Sequence, residues 1–425
     1  MTKSLRNWVT EHRQELVDLT MSLVAIPSEN HPPNGDERAF QEYFARVLQD
    51  TGCMVEQHCP GDVKDLDQHV LYWPGRNYTD RPNVVGRLRG GGQGRSLLFC
   101  GHGDVVQGIE GKYPPFNPVV IGDRLMGRGA YDMKGGMAAV IMAIRGLRAL
   151  NIRLAGDVLI ESDVDEEMGG SNGTLSSRLM GYRADAAIIP EPSEEAICPA
   201  HRGGSIWRLT VQGSGGMGFA GEEMINPIYG MGRLIEAIHT FAGEWRERRS
   251  ALPIFQGARG LDVVLSIAQA GEFPLGQGNG VPRQAALEVW VESYPDMSFK
   301  TLETAFLSYC RRLASHDSIL SRCQLQIDQV VRYLPGSYIS ADHDLVRTVA
   351  QVVEDQWGAR RVHVTAAPFA CDAFVLNAFG IPSVILGAKG GNAHGADEFV
   401  SISSLVDLTV IYAEILMQWC GVNET

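Results

Sequence analysis

What the chain has little of narrows its classes first. Its eight cysteines, at 53, 59, 100, 198, 310, 323, 371 and 420, contain no Cys-x-x-Cys pair. They read as reduced thiols of a cytoplasmic protein and not as a disulfide frame. No uninterrupted apolar run approaches the roughly 18 residues of a bilayer span, and Met1 to Thr20 holds no apolar signal-peptide core. Basic charge is also short. Lys and Arg number 37 against 50 Asp and Glu, a net charge of −13 over 425 residues. Nucleic acid and anionic membranes call for basic surface, so neither is expected as a partner. Internal repeats, low-complexity tracts and the phosphate-loop pattern Gly-x4-Gly-Lys-Ser/Thr are missing as well.

What is present is an alternation of apolar strands and amphipathic helices. Helical spacing runs through Leu16, Leu19 and Leu23, and a second helix is expected from about Asp36 to Thr51. Val84–Leu88 and Leu97–Cys100 read as neighbouring strands joined by the glycine-rich turn Gly90–Gly94. Strands follow at Asp157–Ile160, Ala186–Ile189 and Ser383–Leu386, and helices after Gly136 and from about Ser404 to Trp419. That order predicts an α/β fold, a mostly parallel central sheet flanked by helices. From about Gly203 half-exposed strands, Trp207–Val211 and Ala285–Val291, mark an inserted α+β domain. The expected division is 1–200, 201–333 and 334–425, with the first and last parts forming one domain.

Candidate chemistry sits at the strand ends. Gly101-His102-Gly103-Asp104 follows an apolar strand; His102 can bind a cation through one ring nitrogen while Asp104 accepts the other N–H. Glu166 and Glu167, then Glu191, then His394 lie beyond later strands, and Asp132 lies in the loop entering a helix. Singly these are ordinary: acids suit helix N-termini, and Asp caps helices. Jointly they make a constellation, because sites in open α/β sheets form outside the carboxyl ends of the strands. A mixed imidazole and carboxylate set without thiolate suits one or two divalent ions of zinc, manganese or cobalt. Ionised Asp132, Glu167 and Glu191 with one hydroxide would neutralise two such ions, and a buried site needs that balance.

The chain resembles the metallopeptidase and deacylase family of acetylornithine deacetylase, succinyl-diaminopimelate desuccinylase, aminoacylases and glutamate carboxypeptidases. The likeness runs through Ala25-Ile26-Pro27-Ser28, Gly101-His102-x-Asp104, Gly127-Arg128-Gly129-x-x-Asp132-Met133-Lys134-Gly135, Asp165-Glu166-Glu167, Glu191-Pro192, Arg202-Gly203 and Gly390-Gly391-Asn392-Ala393-His394-Gly395. It implies a zinc-exopeptidase-like catalytic domain interrupted by a lid that dimerises, so a homodimer or higher homo-oligomer acting on a small molecule is expected. It implies further that His102, Glu167, Glu191 and His394 divide between two metals with Asp132 bridging. Glu166 matches the general base, and Asp104 the residue orienting His102.

Two positions depart from that family. Its lid histidine, which polarises a substrate carbonyl, falls at Met217, nine residues before Asn226. After Asn279, part of a motif the family shares, an arginine that grips a substrate carboxylate is replaced in register by Glu292. Met217, Asn279 and Glu292 are therefore the candidate substrate positions. The expectation is a metal-dependent hydrolase of a C–N bond other than an ordinary amide, such as that of a nitroanthranilate-like aromatic amine, releasing ammonia. An N-acyl amino acid deacylase or exopeptidase, and a non-catalytic metal-binding relative, are the alternatives.

Overall fold

The computed structural model describes residues 2–271 and 280–423. The chain divides into two compact units. One comprises the chain up to Ala200 together with Tyr338–Ala367 and the stretch from Cys371 onward; the other is His201–Ser337 with Pro368–Ala370.

In the first unit the strands Val158–Asp163, Leu97–His102, Ala186–Ile189 and Ser383–Ile385 are buried at every position. Unbroken burial is what a parallel strand covered on both faces requires. The four lie side by side in that order, all parallel. Antiparallel strands extend the sheet, Asn83–Leu88 and Met54–His58 on one side and Ile197–His201 on the other. Because the central four run in one direction, their carboxyl ends share a single crest.

The strands Asn83–Leu88 and Leu97–His102 are not neighbours, contrary to the reading of the glycine-rich turn between them. Val158–Asp163 lies between the two and pairs with both. The connection spans two strand spacings, about 10 Å, and so cannot be a tight hairpin. Its glycines serve close approach instead: Gly91 and Gly92 donate to the carbonyls of Leu154 and Ala155. A Cβ on Gly94 would meet the Cys420 carbonyl at 1.9 Å.

Helices Gly135–Ala149 and Ile402–Cys420 pack on each other, with Thr2–Glu11 and Arg13–Val24 alongside. Ile402–Cys420 is long and apolar enough to cross a membrane, but 78% of its apolar window is buried inside the fold, and it serves as a core helix. None of the eight cysteines is paired. A smaller antiparallel sheet joins Val119–Ile121, Arg124–Met126, Phe399–Ser401 and Gly390–Gly391. It sets the chain leaving Met126 beside the chain arriving at Phe399.

The second unit is an antiparallel sheet ordered Val263–Ala270, Gln284–Ser293, Gly203–Gln212, Gln324–Leu334. Burial alternates along Gln284–Ser293 until its last turns, as for a sheet covered on one face. Helices Pro227–Arg246 and Phe299–His316 accompany it. Asn226 and Ser298 cap them by accepting from Ile228 and Thr301 backbone N–H groups. Trp207, Phe241, Trp245 and Phe306 form the aromatic centre of this core.

One buried polar contact ties the long C-terminal helix to the sheet. The Tyr412 hydroxyl donates to the Leu386 carbonyl at 2.6 Å, and its ring meets Phe99 edge-on at 5.4 Å. Tyr412→Phe keeps the ring and orphans the carbonyl. It should cost about 1–2 kcal/mol, read as a lower urea midpoint with an unchanged slope.

Candidate metal centre

His102 is the last residue of its strand, and its ring is 2% exposed. Nδ1 donates to the backbone carbonyl of Asp104 at 2.8 Å. The carbonyl can only accept, so Nδ1 carries the proton and Nε2 presents a lone pair. That lone pair faces Asp132 Oδ1 at 3.4 Å and Glu191 Oε1 at 3.5 Å. His102 Nε2 and Asp132 Oδ1 are both buried without a hydrogen-bond partner. Lone pairs aimed at one another in a buried cluster repel unless a cation lies between them.

The second imidazole completes the arrangement. His394 Nε2 stands 3.1 Å from Asp132 Oδ2 and 2.9 Å from Glu167 Oε2. The two oxygens of Asp132 thus face different histidines. On one side are His102 and Glu191; on the other are His394 and Glu167. Donor atoms of His102, Glu166 and Glu191 lie within 4.8 Å of one another, as do those of His102, Asp132 and Glu167. Both groups could hold a metal ion, and their nitrogen and carboxylate donors fit zinc, manganese or cobalt. A small cavity lies among His102, Glu166, Glu191, Thr174 and Asp372, with room for about one water.

Burial, with Asp132 beside it, pushes the Glu191 carboxyl up to about 8. Burial also holds Glu166 well above the ordinary carboxylate range, despite the opposing influence of His102. A divalent cation inverts that balance by favouring the ionised forms.

Asp104 does a different job from the one its spacing suggests. Its carboxylate is 3.7 Å from His102 Nδ1, whereas its own carbonyl takes the ring proton. The carboxylate instead accepts the backbone N–H of Glu166 at 3.2 Å and of Glu167 at 3.0 Å. Asn30 donates to it at 2.8 Å and to Asp165 at 3.1 Å. Two residues after a strand end the chain has already turned, so Asp104 lies beneath the Glu166–Glu167 turn and not in line with the imidazole. Lys134, from the same block as Asp132, is spent on the Ile26 carbonyl at 2.9 Å and on the Phe40 ring.

Asn30 and Glu398 were not legible as site residues. Glu398 is buried and accepts backbone N–H groups from Gly129, Tyr131 and Asp132. No periodicity or motif spacing singles out a buried polar residue whose partners are backbone groups far away in sequence.

The candidate substrate positions do not join this cluster within the first unit. Met217 belongs to the second unit and is 49% exposed; Asn279 lies outside the described residues. Glu292 is corrected as a substrate contact. It is 5% exposed, and Arg202 at 2.6 Å, Arg259 at 2.9 Å and the Asp262 N–H at 2.8 Å occupy its carboxylate. An anion buried in a second core needs its cations there, which leaves no oxygen for a ligand.

Comparison with known proteins identifies the family. The profile of Peptidase family M20/M25/M40 matches residues 98–418. The chain is 28% identical to N-formyl-4-amino-5-aminomethyl-2-methylpyrimidine deformylase of Bacillus subtilis (strain 168), over 98% of this chain and 97% of that one. It is likewise 28% identical to succinyl-diaminopimelate desuccinylase of Methylobacterium radiotolerans, over 92% and 98%. Among solved structures it shares its fold with human carnosine dipeptidase 1, at a TM-score of 0.76 and 16% identity over 99% and 100% of the two chains. The di-peptidase Dug1p of Saccharomyces cerevisiae gives 0.79 and 13% over 99% and 98%. With its histidine and carboxylate crest, the chain belongs to Peptidase family M20/M25/M40 and is a metal-dependent hydrolase of C–N bonds.

Proposed function

We propose that His102, Asp132, Glu167, Glu191 and His394 hold two divalent ions, with Asp132 between them, and that Glu166 is the general base. The observation that carries this is the split of the Asp132 carboxylate between two imidazoles that each have a second carboxylate beside them. A bound divalent ion supplies Lewis acidity, which brings the ionisation of water towards neutral pH. Glu166 removes the proton of the attacking water and returns it to the departing nitrogen. Asp104 holds the peptide N–H groups of Glu166 and Glu167, so base and ligand keep a fixed separation.

We further propose that the carbon attacked belongs to an aromatic amine, with water replacing the amino group of a nitroanthranilate-like compound and ammonia leaving. Met217 supports this reading. The family resemblance places a carbonyl-polarising histidine there, and Gly213–Asn226 contains none. A thioether donates no hydrogen bond, and losing such a donor costs an amide hydrolase about 10²–10³ in rate. Charge delocalised into a nitro-substituted ring has no need of that donor. A second reading, removal of a small acyl group from an amine, is favoured by end-to-end similarity to a formylpyrimidine deformylase and a desuccinylase.

The second unit is proposed as the lid and self-association module. Its edge strand Val263–Ala270 exposes Val264 and Ile267. A hollow of about 360 Å³ beside that strand is lined by Ile235, Ile238, Ala242 and Leu265. Light scattering on the purified chain should give a dimer or larger oligomer; a monomer at micromolar concentration overturns this assignment.

Ammonia, formate and succinate release should be measured with zinc-, manganese- and cobalt-loaded protein over nitroaminobenzoates, N-formyl amines and N-acyl amino acids. Ammonia from the nitroaminobenzoates is expected. Acyl release alone selects the second reading, and release of neither ammonia nor acyl group overturns both substrate readings. Glu166→Gln should abolish turnover while metal content, read by plasma mass spectrometry, stays at the wild-type value. Asp104→Asn turns one acceptor into a donor facing an N–H group. It should lower kcat about 10–100-fold with the His102 tautomer unchanged, which histidine NMR can verify.

A further inference from the structure

We infer that Glu398 and Arg128 are positioning residues that assemble one of the two cation subsites, the one formed by Asp132, Glu167 and His394. The inference rests on the two-cation reading above.

Glu398 is 2% exposed and its four acceptor positions are all in use. Oε1 takes the backbone N–H of Tyr131 at 2.9 Å and of Asp132 at 3.1 Å. Oε2 takes that of Gly129 at 3.1 Å together with the Arg128 guanidinium. Converging backbone N–H groups of one turn form an anion cradle; here the anion is the protein's own carboxylate, and the Ala130 N–H between them goes to the Gly127 carbonyl. Its effect is to set the peptide plane from which the Asp132 side chain leaves. Arg128 then reaches across, its Nη2 donating to the Gly395 carbonyl at 2.9 Å, one residue beyond His394.

Two loops are therefore tied at two places. Strand pairing of Arg124–Met126 with Phe399–Ser401 fixes one end, and the Glu398–Arg128 pair fixes the stretch that presents Asp132 and His394. Both loops need the help. Gly129 and His394 have positive φ, at 82° and 61°; Asp132 has non-helical φ/ψ inside the short turn Ala130–Lys134, and His394 lies outside any helix or strand. His102 and Glu191 differ: His102 is the last residue of a central parallel strand and Glu191 follows another by two residues, so the sheet holds the chain close to each. Loosening the tie should misplace both Asp132 and His394 at one subsite, but only the shared Asp132 at the other.

The test is metal binding by the full-length protein, independent of any substrate. Manganese and zinc are titrated calorimetrically into metal-free wild type, Glu398→Gln and Arg128→Lys. Bound metal is then counted by plasma mass spectrometry after stepwise chelation. Wild type should hold two ions. Glu398→Gln should keep one with little change and bind the other about 10–100-fold more weakly. Arg128→Lys leaves the three backbone donors and their acceptor in place, guards against a variant that does not fold, and should show a smaller loss at the same subsite. Equal weakening of both ions, or of neither, in either folded variant overturns the inference. A wild type that binds fewer than two ions overturns the two-cation reading, and this inference with it.

Discussion

The lone pair of His102 Nε2 points at two carboxylates inside a buried crest, and much of the first unit is arranged to hold it there. The Asp104 carbonyl captures the other ring proton, which removes the simplest way of neutralising the contact. The opposing Asp132 then faces a second histidine with its other oxygen. A cluster with this many acceptors and so few protons is unfavourable in a low-dielectric interior unless cations enter it. The fold accepts that cost because parallel strands leave their carboxyl ends adjacent, and loops from each can be pinned separately.

Pinning is done through the backbone. Asp104 holds the N–H groups of Glu166 and Glu167, and Glu398 holds those around Asp132. Both anchors are buried carboxylates, so each ligand-bearing turn is fixed before its side chain is considered. Catalysis by positioning benefits from that order. A ligand whose peptide plane is set has few rotamers left to lose, and a neighbouring residue such as Glu166 can stay uncommitted while Glu167 faces His394.

The second unit follows another logic. Its sheet is covered by helices on one face around an aromatic centre, and its buried charges pair internally, as Glu292 does with Arg202 and Arg259. Glu292 is thus part of a local ion-pair cluster and not a free contact. Met217 is of a different kind, a half-exposed thioether in a glycine-rich loop that offers no hydrogen-bond donor.

The sequence by itself determined the α/β class and the parallel core, and it singled out His102, Asp132, Glu166, Glu167, Glu191 and His394, which the fold brings together. His102, Glu166, Glu167 and Glu191 are written locally, as ligand types at or just after the end of a buried apolar strand, and Asp132 and His394 as members of glycine-bearing loop motifs. Tertiary structure decided the rest. It placed Val158–Asp163 between two strands that read as a hairpin, since strand order is set by long-range pairing and not by proximity in sequence. It sent the Asp104 carboxylate to two backbone N–H groups instead of the imidazole, because the turn after a strand end redirects the side chain. It also brought in Asn30 and Glu398, whose side-chain partners lie up to 270 residues away. Such residues are recognised by what they bond when buried, and only folding brings those partners within reach.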